Sequence, residues 1–229
     1  MKAEPCAMYI GGIRVSCVRV RPKFDAPEGR NPAASVRPRI ETPEAWTAMA
    51  WQAAKETGAP LLMARFPGPA PDGWTVMPRG YAKPAAAAPE ALERLTEADR
   101  AAMRGLYGLY AGRHPGMLAR ENPEAWDARL SELPNPLGIF EGERLLLWLA
   151  VKDGELLELS AAPDALPRIP GALAEAGVTR APTPLADSRA EWVDESVKLL
   201  LYRPFHIPGQ RIETPAQLTR ALIGAVQWD

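Results

Sequence analysis

The order of predicted elements in the first third of the chain restricts the fold more than any other feature. Residues 8–21 alternate apolar and polar side chains and predict a strand, with a bend or bulge near Gly11. Residues 22–40 contain four prolines and no clean period, so they predict a long irregular loop. A helix then begins around Pro43, where a first-turn proline loses no intrahelical hydrogen bond. A short apolar run at residues 59–66 predicts a second, buried strand.

The rest of the chain continues to mix strands with helices. Residues 67–89 turn repeatedly and end in PAAAAPE, the best candidate for a linker. The elements predicted after it are a strand at 92–95, helices opening at Thr96 and Asn122, strands at 137–141, 145–151 and 155–160, a helix at 163–176, strands at 178–181 and 197–202, and a helix at 214–226. This mixture predicts an α/β fold of the α+β kind, in which helices cover a mixed sheet.

Composition excludes several classes of function. A net charge of -1 and a pI near 6.2 provide no basic excess for nucleic acid or an anionic membrane surface. The only cysteines, Cys6 and Cys17, have neither the spacing of a disulfide framework nor that of a metal site. The N-terminus lacks the apolar segment of a signal peptide, and no apolar run reaches membrane length. We therefore expect a cytoplasmic protein.

The chain also lacks the residue patterns of familiar catalytic sites. His114 and His206 are the only histidines, and neither stands in a motif with a serine or cysteine nucleophile. We expect a structural or surface role for His114 and a role in a turn for His206. No cluster has metal-ligand spacing, so no metal is expected. Neither GxxxxGK[ST] nor a GxGxxG after a strand occurs, which disfavours phosphate-loop and dinucleotide enzymes.

Acyl transfer from acetyl-CoA to an amine is compatible with such a chain, because the thioester is already activated. The protein must hold the pyrophosphate, orient the thioester and help to remove a proton. Backbone N–H groups between the end of a strand and the start of a helix can hold a pyrophosphate. The order strand, loop and helix between Val18 and Ala53 matches that requirement.

Several segments resemble a known family. The segment MYIGGIRVSCVRVRPKF, the helix end KETGAPLLMARF and the stretch GWTVMPRGYAKP are similar to the second half of a GNAT acetyltransferase domain. They are most similar to the bacterial enhanced-intracellular-survival acetyltransferases. LYGLYAGRHPGMLAR at residues 106–120 and the following PEAW resemble the start of that family's second, GNAT-like domain. The pattern LYxxYAxRxPGMLxR is the most specific element of the resemblance.

The resemblance implies a domain organisation. Residues 1–84 would form a partial GNAT-like unit of strand, long loop, helix and strand. Residues 85–90 would be the linker, and residues 91–229 a second GNAT-like unit with a C-terminal helix. The family's lipid-carrier-like third domain has no room in this length.

The resemblance also implies site residues. Acetyl-CoA would bind near Val18, Val20, Gly29 and Arg30, with no metal, and the acceptor would be a small-molecule or peptide amine. The amine would attack the thioester directly, with a water or a carboxylate as the base. Because the family uses its chain-terminal carboxylate as base, Asp229 is the candidate here.

The sequence departs from the family at three places. The first predicted strand corresponds to the family's fourth, the predicted phosphate loop is longer and rich in proline, and Val76 stands where the family's acid tyrosine is expected. Prolines lack an N–H, so this loop has fewer donors. Tyr81 matches a different, non-acid tyrosine.

These departures leave alternatives open. The chain would be an active N-acetyltransferase, a degenerate relative, or a non-catalytic assembly module whose unpaired sheet edges pair with another chain as a homo-oligomer. The missing strands would also be explained if the true N-terminus lay upstream.

Overall fold

The structure is a computed structural model of the chain, and it describes residues 2–21, 43–65, 72–120, 122–183 and 191–222. Its strands, in chain order, are β1 (Lys2–Ile10), β2 (Ile13–Arg21), β3 (Leu61–Arg65), β4 (Trp74–Ala82), β5 (Glu93–Arg94), β6 (Leu137–Glu141), β7 (Arg144–Lys152), β8 (Glu155–Ala161), β9 (Ala181–Thr183), β10 (Glu191–Leu201), β11 (Phe205–Ile207) and β12 (Gln210–Ile212). The α-helices are α1 (Pro43–Thr57), α2 (Arg100–Ala111), α3 (Pro123–Glu132), α4 (Ile169–Glu175) and α5 (Pro215–Ala221). None of the helices among the described residues is long and apolar enough to cross a membrane.

A mixed six-stranded sheet has the order β1-β2-β3-β10-β4-β9. The β2–β3 pair is parallel and every other neighbouring pair is antiparallel. Strand β10 lies between β3 and β4, although the whole second sheet separates it from them along the chain. The predicted unit 91–229 therefore supplies two strands, β9 and β10, to the sheet of the predicted first unit. The division of the chain into domains stays a prediction.

The N-terminal hairpin corrects the first predicted strand. Residues 8–21 do not form one strand, because Gly11 and Gly12 reverse the chain and β1 runs from Lys2 to Ile10. Both glycines have positive φ, 58° and 78°, which is the backbone of a tight two-residue hairpin turn. The first part of β1 was not predicted because it contains Pro5, and proline occurs in strands only where no N–H is needed for the ladder of hydrogen bonds. Here it lies on the outer edge strand of the sheet.

The same hairpin brings the two cysteines together. Cys6 and Cys17 face each other across β1 and β2 in register, with Cα atoms 5.0 Å apart, and form a disulfide. The expectation that their spacing carries no disulfide missed this pair. The pairing is not evident from the eleven-residue spacing, because it depends on the Gly11-Gly12 turn that places the two strands side by side.

The second sheet is antiparallel and has the order β5-β6-β7-β8. Its hairpins turn at Gly142 and at Asp153-Gly154, all with positive φ, which confirms the predicted turns. The observed ends of β6, β7 and β8 all lie within one residue of the predicted ends. Helix α2 packs on β7 and β8, and Trp148, fully buried, donates its indole N–H to the Met103 carbonyl at 3.1 Å.

Proline explains most of the remaining differences from the predicted elements. Residues 67–89 were predicted to turn repeatedly, yet β4 lies within them and carries Pro78 in its interior. The predicted helix at 163–176 is a 3₁₀ helix, Pro163–Arg168, followed by α4. β9 lies slightly after the predicted strand 178–181, and β10 begins earlier than the predicted 197–202. α5 is confirmed to Ala221, and the rest of that predicted helix lies outside the described residues.

Side-chain alternation places a separate core on each face of the six-stranded sheet. Helix α1 covers the face that carries Val18, Val20 and Leu62. Helix α5 and the β11–β12 ribbon cover the other face, where Met63 and Leu199 are buried. The sheet is therefore a middle layer, as expected for a mixed sheet covered by helices.

The segment after α2 joins the two sheets. Gly116 donates to the Tyr9 carbonyl at 2.7 Å, Tyr9 donates to the Met117 carbonyl at 2.9 Å, and Ala119 donates to the Ala7 carbonyl at 2.8 Å. These bonds add residues 116–119 to the outer edge of β1. The PGML part of the sequence pattern is thus the connection between the sheets.

Candidate functional site

The β2–α1–β3 unit sets the geometry of the candidate site. β2 and β3 are parallel neighbours, paired from Cys17↔Leu61 to Val20↔Ala64. Parallel neighbours require a crossover, so α1 runs back along the sheet and its first residues lie at the end where β2 finishes. The carboxyl ends of β2 and β3 and the amino end of α1 therefore share one end of the sheet. Such an end is a ready site for an anionic ligand, because unpaired helix N–H groups and the helix dipole point toward it.

The structure places Val18 and Val20 in the wall of this unit. Their side chains are 1% and 2% exposed and pack under α1 against Ala50, Ala53 and Ala54. β2 has neighbours on both sides, β1 and β3, so these two residues form part of the central sheet. The structure thus brings both residues to the predicted location. Their role in cofactor binding stays a prediction.

The other predicted site residues are not placed by the structure. Gly29 and Arg30 belong to the segment between β2 and α1, outside the described residues. Asp229 also lies outside them. Their proposed contacts rest on the sequence alone.

At the end of the sheet where β2 and β3 finish, β10 and β4 extend beyond β3. The β3–β10 ladder ends at Arg65↔Val197, whereas the β10–β4 ladder continues to Glu191↔Tyr81. Between Val193 and Val197 the β10–β4 register shifts, and β10 has three residues opposite Pro78 alone. Pro78 has no N–H for the ladder, which explains why the strands bulge there. Bulges are over-represented next to active sites, where they redirect side chains.

Lys198 is the residue at this end that sequence analysis missed. It is fully buried, and the registers Val20↔Ala64, Lys198↔Ala64 and Lys198↔Val76 place it in one cross-strand row with Val20. The row lies on the face that α1 covers. A buried ammonium is rare unless it is paired. The signal in the sequence is a single lysine within the apolar run VKLLLY, which predicts a strand but no role for the lysine.

The positions aligned with the family's tyrosines have ordinary packing roles. Val76 is 39% exposed and has no titratable group. Tyr81 is buried, and the Arg180 guanidinium lies 3.8 Å from the centre of its ring in a cation–π contact. Arg180 also donates to Glu155 at 2.8 Å. Tyr81 therefore helps to fix β4 against β8.

His114 has the structural position expected from the sequence, whereas His206 lies in a strand and not in the predicted turn. His114 stacks on Tyr110 with ring centres 3.9 Å apart, and its Nδ1 lies 2.8 Å from the Tyr110 carbonyl. Burial raises the pKa of the Tyr110 phenol well above its ordinary value, so this hydroxyl stays protonated at neutral pH. His206 is an exposed residue of β11.

The pattern that carried the resemblance builds a core and not a site. The Tyr107 hydroxyl donates to the Leu118 carbonyl at 2.7 Å, and the Arg120 guanidinium lies over the Tyr107 ring. Arg120 and Arg129 both bind the fully buried Glu158, with N–O distances of 2.9 and 3.2 Å. The two arginines stabilise the ionised form of a carboxylate that would otherwise be costly to bury.

Comparison with solved structures identifies the fold. No protein-family model matches the chain, and no curated protein matches it. A GCN5-related N-acetyltransferase from Anabaena variabilis ATCC 29413 superposes with a TM-score of 0.57 at 16% identity over 88% of this chain and 59% of its own. One from Kribbella flavida gives 0.56 at 16% identity over 88% and 56%. Eis1 from Mycobacterium abscessus gives 0.52 at 15% identity over 88% and 61%.

The coverage and the sequence identity of these matches determine which conclusions they support. The chain spans about three-fifths of the length of the solved structures that it resembles. The likeness covers both sheets of this chain, since it extends over 88% of the residues. Identities near 16% support the architecture. The mixed α/β chain has the fold of the GCN5-related N-acetyltransferases, and it is similar in structure to an Eis protein.

Proposed function

We propose that this chain is an N-acetyltransferase that transfers the acetyl group of acetyl-CoA to an amine. The observation that carries the proposal is the parallel β2–β3 pair with the amino end of α1 beside its carboxyl ends. That arrangement supplies backbone N–H groups for a pyrophosphate without any dedicated side chain. It occurs in a chain with the GNAT fold, where the chemistry needs orientation more than a nucleophile.

The proposed roles follow the position of each residue. Val18 and Val20 form the apolar wall that holds β2 in register beside β3. Gly29 and Arg30 contact the pyrophosphate from the segment that leads from β2 to α1. Asp229 supplies a carboxylate as the base. Acetyl-CoA brings the activated thioester; the amine attacks its carbonyl carbon, the thiolate leaves, and the amine proton passes to the base.

The structure also bears on the assembly alternative. Each edge strand of the six-stranded sheet contains a proline, Pro5 in β1 and Pro182 in β9. The outer edge of β1 is already bonded to residues 116–119, and β9 has only three residues. Short strands and prolines are devices that prevent pairing with another chain. These features favour the enzyme over an assembly module built by strand pairing, and light scattering tests the homo-oligomer directly.

A titration with acetyl-CoA tests the proposal. We expect a saturable rise of the melting temperature, because a ligand that binds only the folded state stabilises it by about 2.7 kcal/mol at one hundred times its Kd. Arg30→Gln should weaken the effect, whereas Arg104→Gln, on α2 in the other sheet's layer, should leave it unchanged. Release of free thiol with a panel of amines then identifies the acceptor class. A folded protein that shows no shift at millimolar acetyl-CoA overturns the proposal.

A further inference from the structure

A second concave surface lies at the opposite end of β2. A groove of about 310 Å³ is formed by the first residues of β2, the turn between α1 and β3, and the segment after β10. Residues 13–16 begin β2, whereas the proposed acetyl-CoA site lies beyond its last residue, Arg21. The groove is thus separate from the candidate active site. Its volume is at the lower end of the range for small-molecule sites.

The ionisable side chains among the lining residues of the groove are all basic. Arg14 and Arg203 line it together with His206, and none of the described residues that line it is acidic. In the part of the chain that the structure describes, Arg203 and His206 form no ion pair. The nearby Glu56 accepts a hydrogen bond from Gln52 on the outside of α1. A cleft lined by one sign of charge raises the local concentration of ligands of the opposite sign.

The turn between α1 and β3 fixes the position of Arg203. Gly58 has a φ of +63°, which ends α1 and turns the chain into β3. Nη2 of Arg203 lies 3.8 Å from the place that a Cβ of residue 58 would occupy, so the guanidinium lies against this turn. The backbone N–H groups of Tyr202 and Arg203 donate to the Pro60 carbonyl at 2.8 and 3.3 Å. Arg203 is therefore held at its backbone while its guanidinium borders the groove.

The remaining lining suits a ligand with an apolar body. Ser16 is exposed and lies two residues after Arg14, so both project from the same face of β2. The Thr57 hydroxyl is already used, because it donates to the Ala53 carbonyl at 2.8 Å. Phe205 supplies an aromatic surface beside the basic groups. The groove thus combines guanidinium donors, one available hydroxyl and an apolar wall.

We propose that this groove binds a small organic oxyanion, a phosphate or carboxylate carried on a flat apolar body. The guanidinium of Arg203 would bind two oxygens of the anion, a geometry that the fixed fork of arginine favours. Arg14 adds charge, the His206 ring and the Ser16 hydroxyl donate hydrogen bonds, and the apolar body packs on Phe205. The inference does not depend on acetyl-CoA binding, because no residue is shared between the two sites.

The test uses phenyl phosphate and benzoate as probes and benzyl alcohol as their neutral counterpart. In titrations of the full chain followed by amide NMR, we expect saturable shifts at Ser16, Gly58 and Arg203 for the anions. Benzyl alcohol should produce none. Comparison of the two anions distinguishes phosphate from carboxylate as the preferred group.

Substitution of Arg203 decides the assignment. Arg203→Gln should weaken binding of the better anion by about tenfold or more, since charge-assisted bidentate hydrogen bonds are among the strong ones. Arg104→Gln removes the same charge from α2 and should leave the affinity unchanged. His206→Ala gives a second, independent reduction. Equal affinity of the Arg203→Gln variant, shifts confined to the other end of β2, or no anion binding would each overturn the proposal.

Discussion

The two sheets of this protein differ in how far apart their neighbouring strands lie in the sequence. In the four-stranded sheet every pair of neighbours among β6, β7 and β8 is joined by a tight turn at Gly142 or Gly154. In the six-stranded sheet the centre is completed by β10, which arrives after the other sheet has been formed along the chain. The strand in β10 can be predicted from its apolar run, but its place between β3 and β4 cannot, because no turn links it to either neighbour.

Among the side chains that the structure describes, each sheet buries one charged residue, and the two lie in different parts of the fold. Glu158 in β8 is bound by two arginines, one of which stacks on aromatic rings in the core. Lys198 in β10 lies in the row that leads to the carboxyl ends of β2 and β3. The carboxylate has a structural position, and the ammonium lies beside the proposed active site.

Among substitutions that test this comparison, we expect the largest loss of stability at Glu158. Glu158→Ala should lower the free energy of unfolding by about 3–5 kcal/mol, because it removes a fully buried carboxylate and leaves two half-buried guanidinium groups without that partner. Urea denaturation measures the change. Glu132→Ala is the control, since Glu132 is exposed and touches Arg129 only at 3.8 Å. If Glu158→Ala lowers the free energy of unfolding no more than Glu132→Ala does, the Glu158 carboxylate does not have the structural role assigned to it.

The dependence of the first sheet on β10 is tested at Leu199. Leu199→Ala should cost about 2–5 kcal/mol by opening a cavity between β3 and β4. Leu109→Ala, on the exposed side of α2, should change little. We expect one denaturation transition in both variants, because residues 116–119, which follow α2, are bonded to β1 and so connect the sheets. Two separated transitions would show that the sheets are independent.

A smaller effect is expected where the predicted linker meets the second sheet's helices. An added Cβ at Gly171 would lie 2.6 Å from the Ala88 carbonyl, so Gly171→Ala should destabilise the protein by about 1–3 kcal/mol. Gly105→Ala is the matched control in α2, where nothing lies within 4 Å and alanine should stabilise the helix by about 0.5–1 kcal/mol. Equal effects at both positions would mean that residues 85–90 are not held against α4.

The smallest effect concerns the ion pair of the same segment. Arg168 donates to Glu90 through Nε and Nη2, at 3.0 and 2.6 Å, and this contact lowers the pKa of the Glu90 carboxyl. A lowered pKa stabilises the fold above the ordinary carboxyl pKa, and that contribution is lost as the pH falls through the folded-state value. The melting temperature of the wild type should therefore fall slightly more than that of Glu90→Gln on acidification below about pH 4.5. Parallel pH curves would contradict the assignment.

What the sequence predicted follows the same division. The helix starts at Thr96, Asn122 and Thr214 are local signals. Asn122 and Thr214 cap α3 and α5 with their side chains, and Thr96 precedes a 3₁₀ turn, Glu97–Asp99, that leads into α2. Strand β4 was missed, because Pro78 and Gly80 are typical of a turn, and the bulge in β10 opposite Pro78 cannot be predicted from the local sequence. The disulfide was missed because its geometry depends on the Gly11-Gly12 turn.

For the candidate site, the sequence predicted the strand that leads to it but not what lies across the sheet. Val18 and Val20 lie in the β2–α1–β3 unit as expected. Lys198 joins them only through pairings between strands far apart in the sequence. No local pattern could place it there.

The insertion of β10 has a consequence for how the chain is made. On a ribosome, β1 to β4 emerge first, and β3 and β4 each present an open hydrogen-bonding edge until residues 191–201 have left the exit tunnel. The second sheet, built from near neighbours, can close during that interval. The first sheet, and with it the proposed acetyl-CoA site, is therefore completed last in synthesis although its strands are translated first.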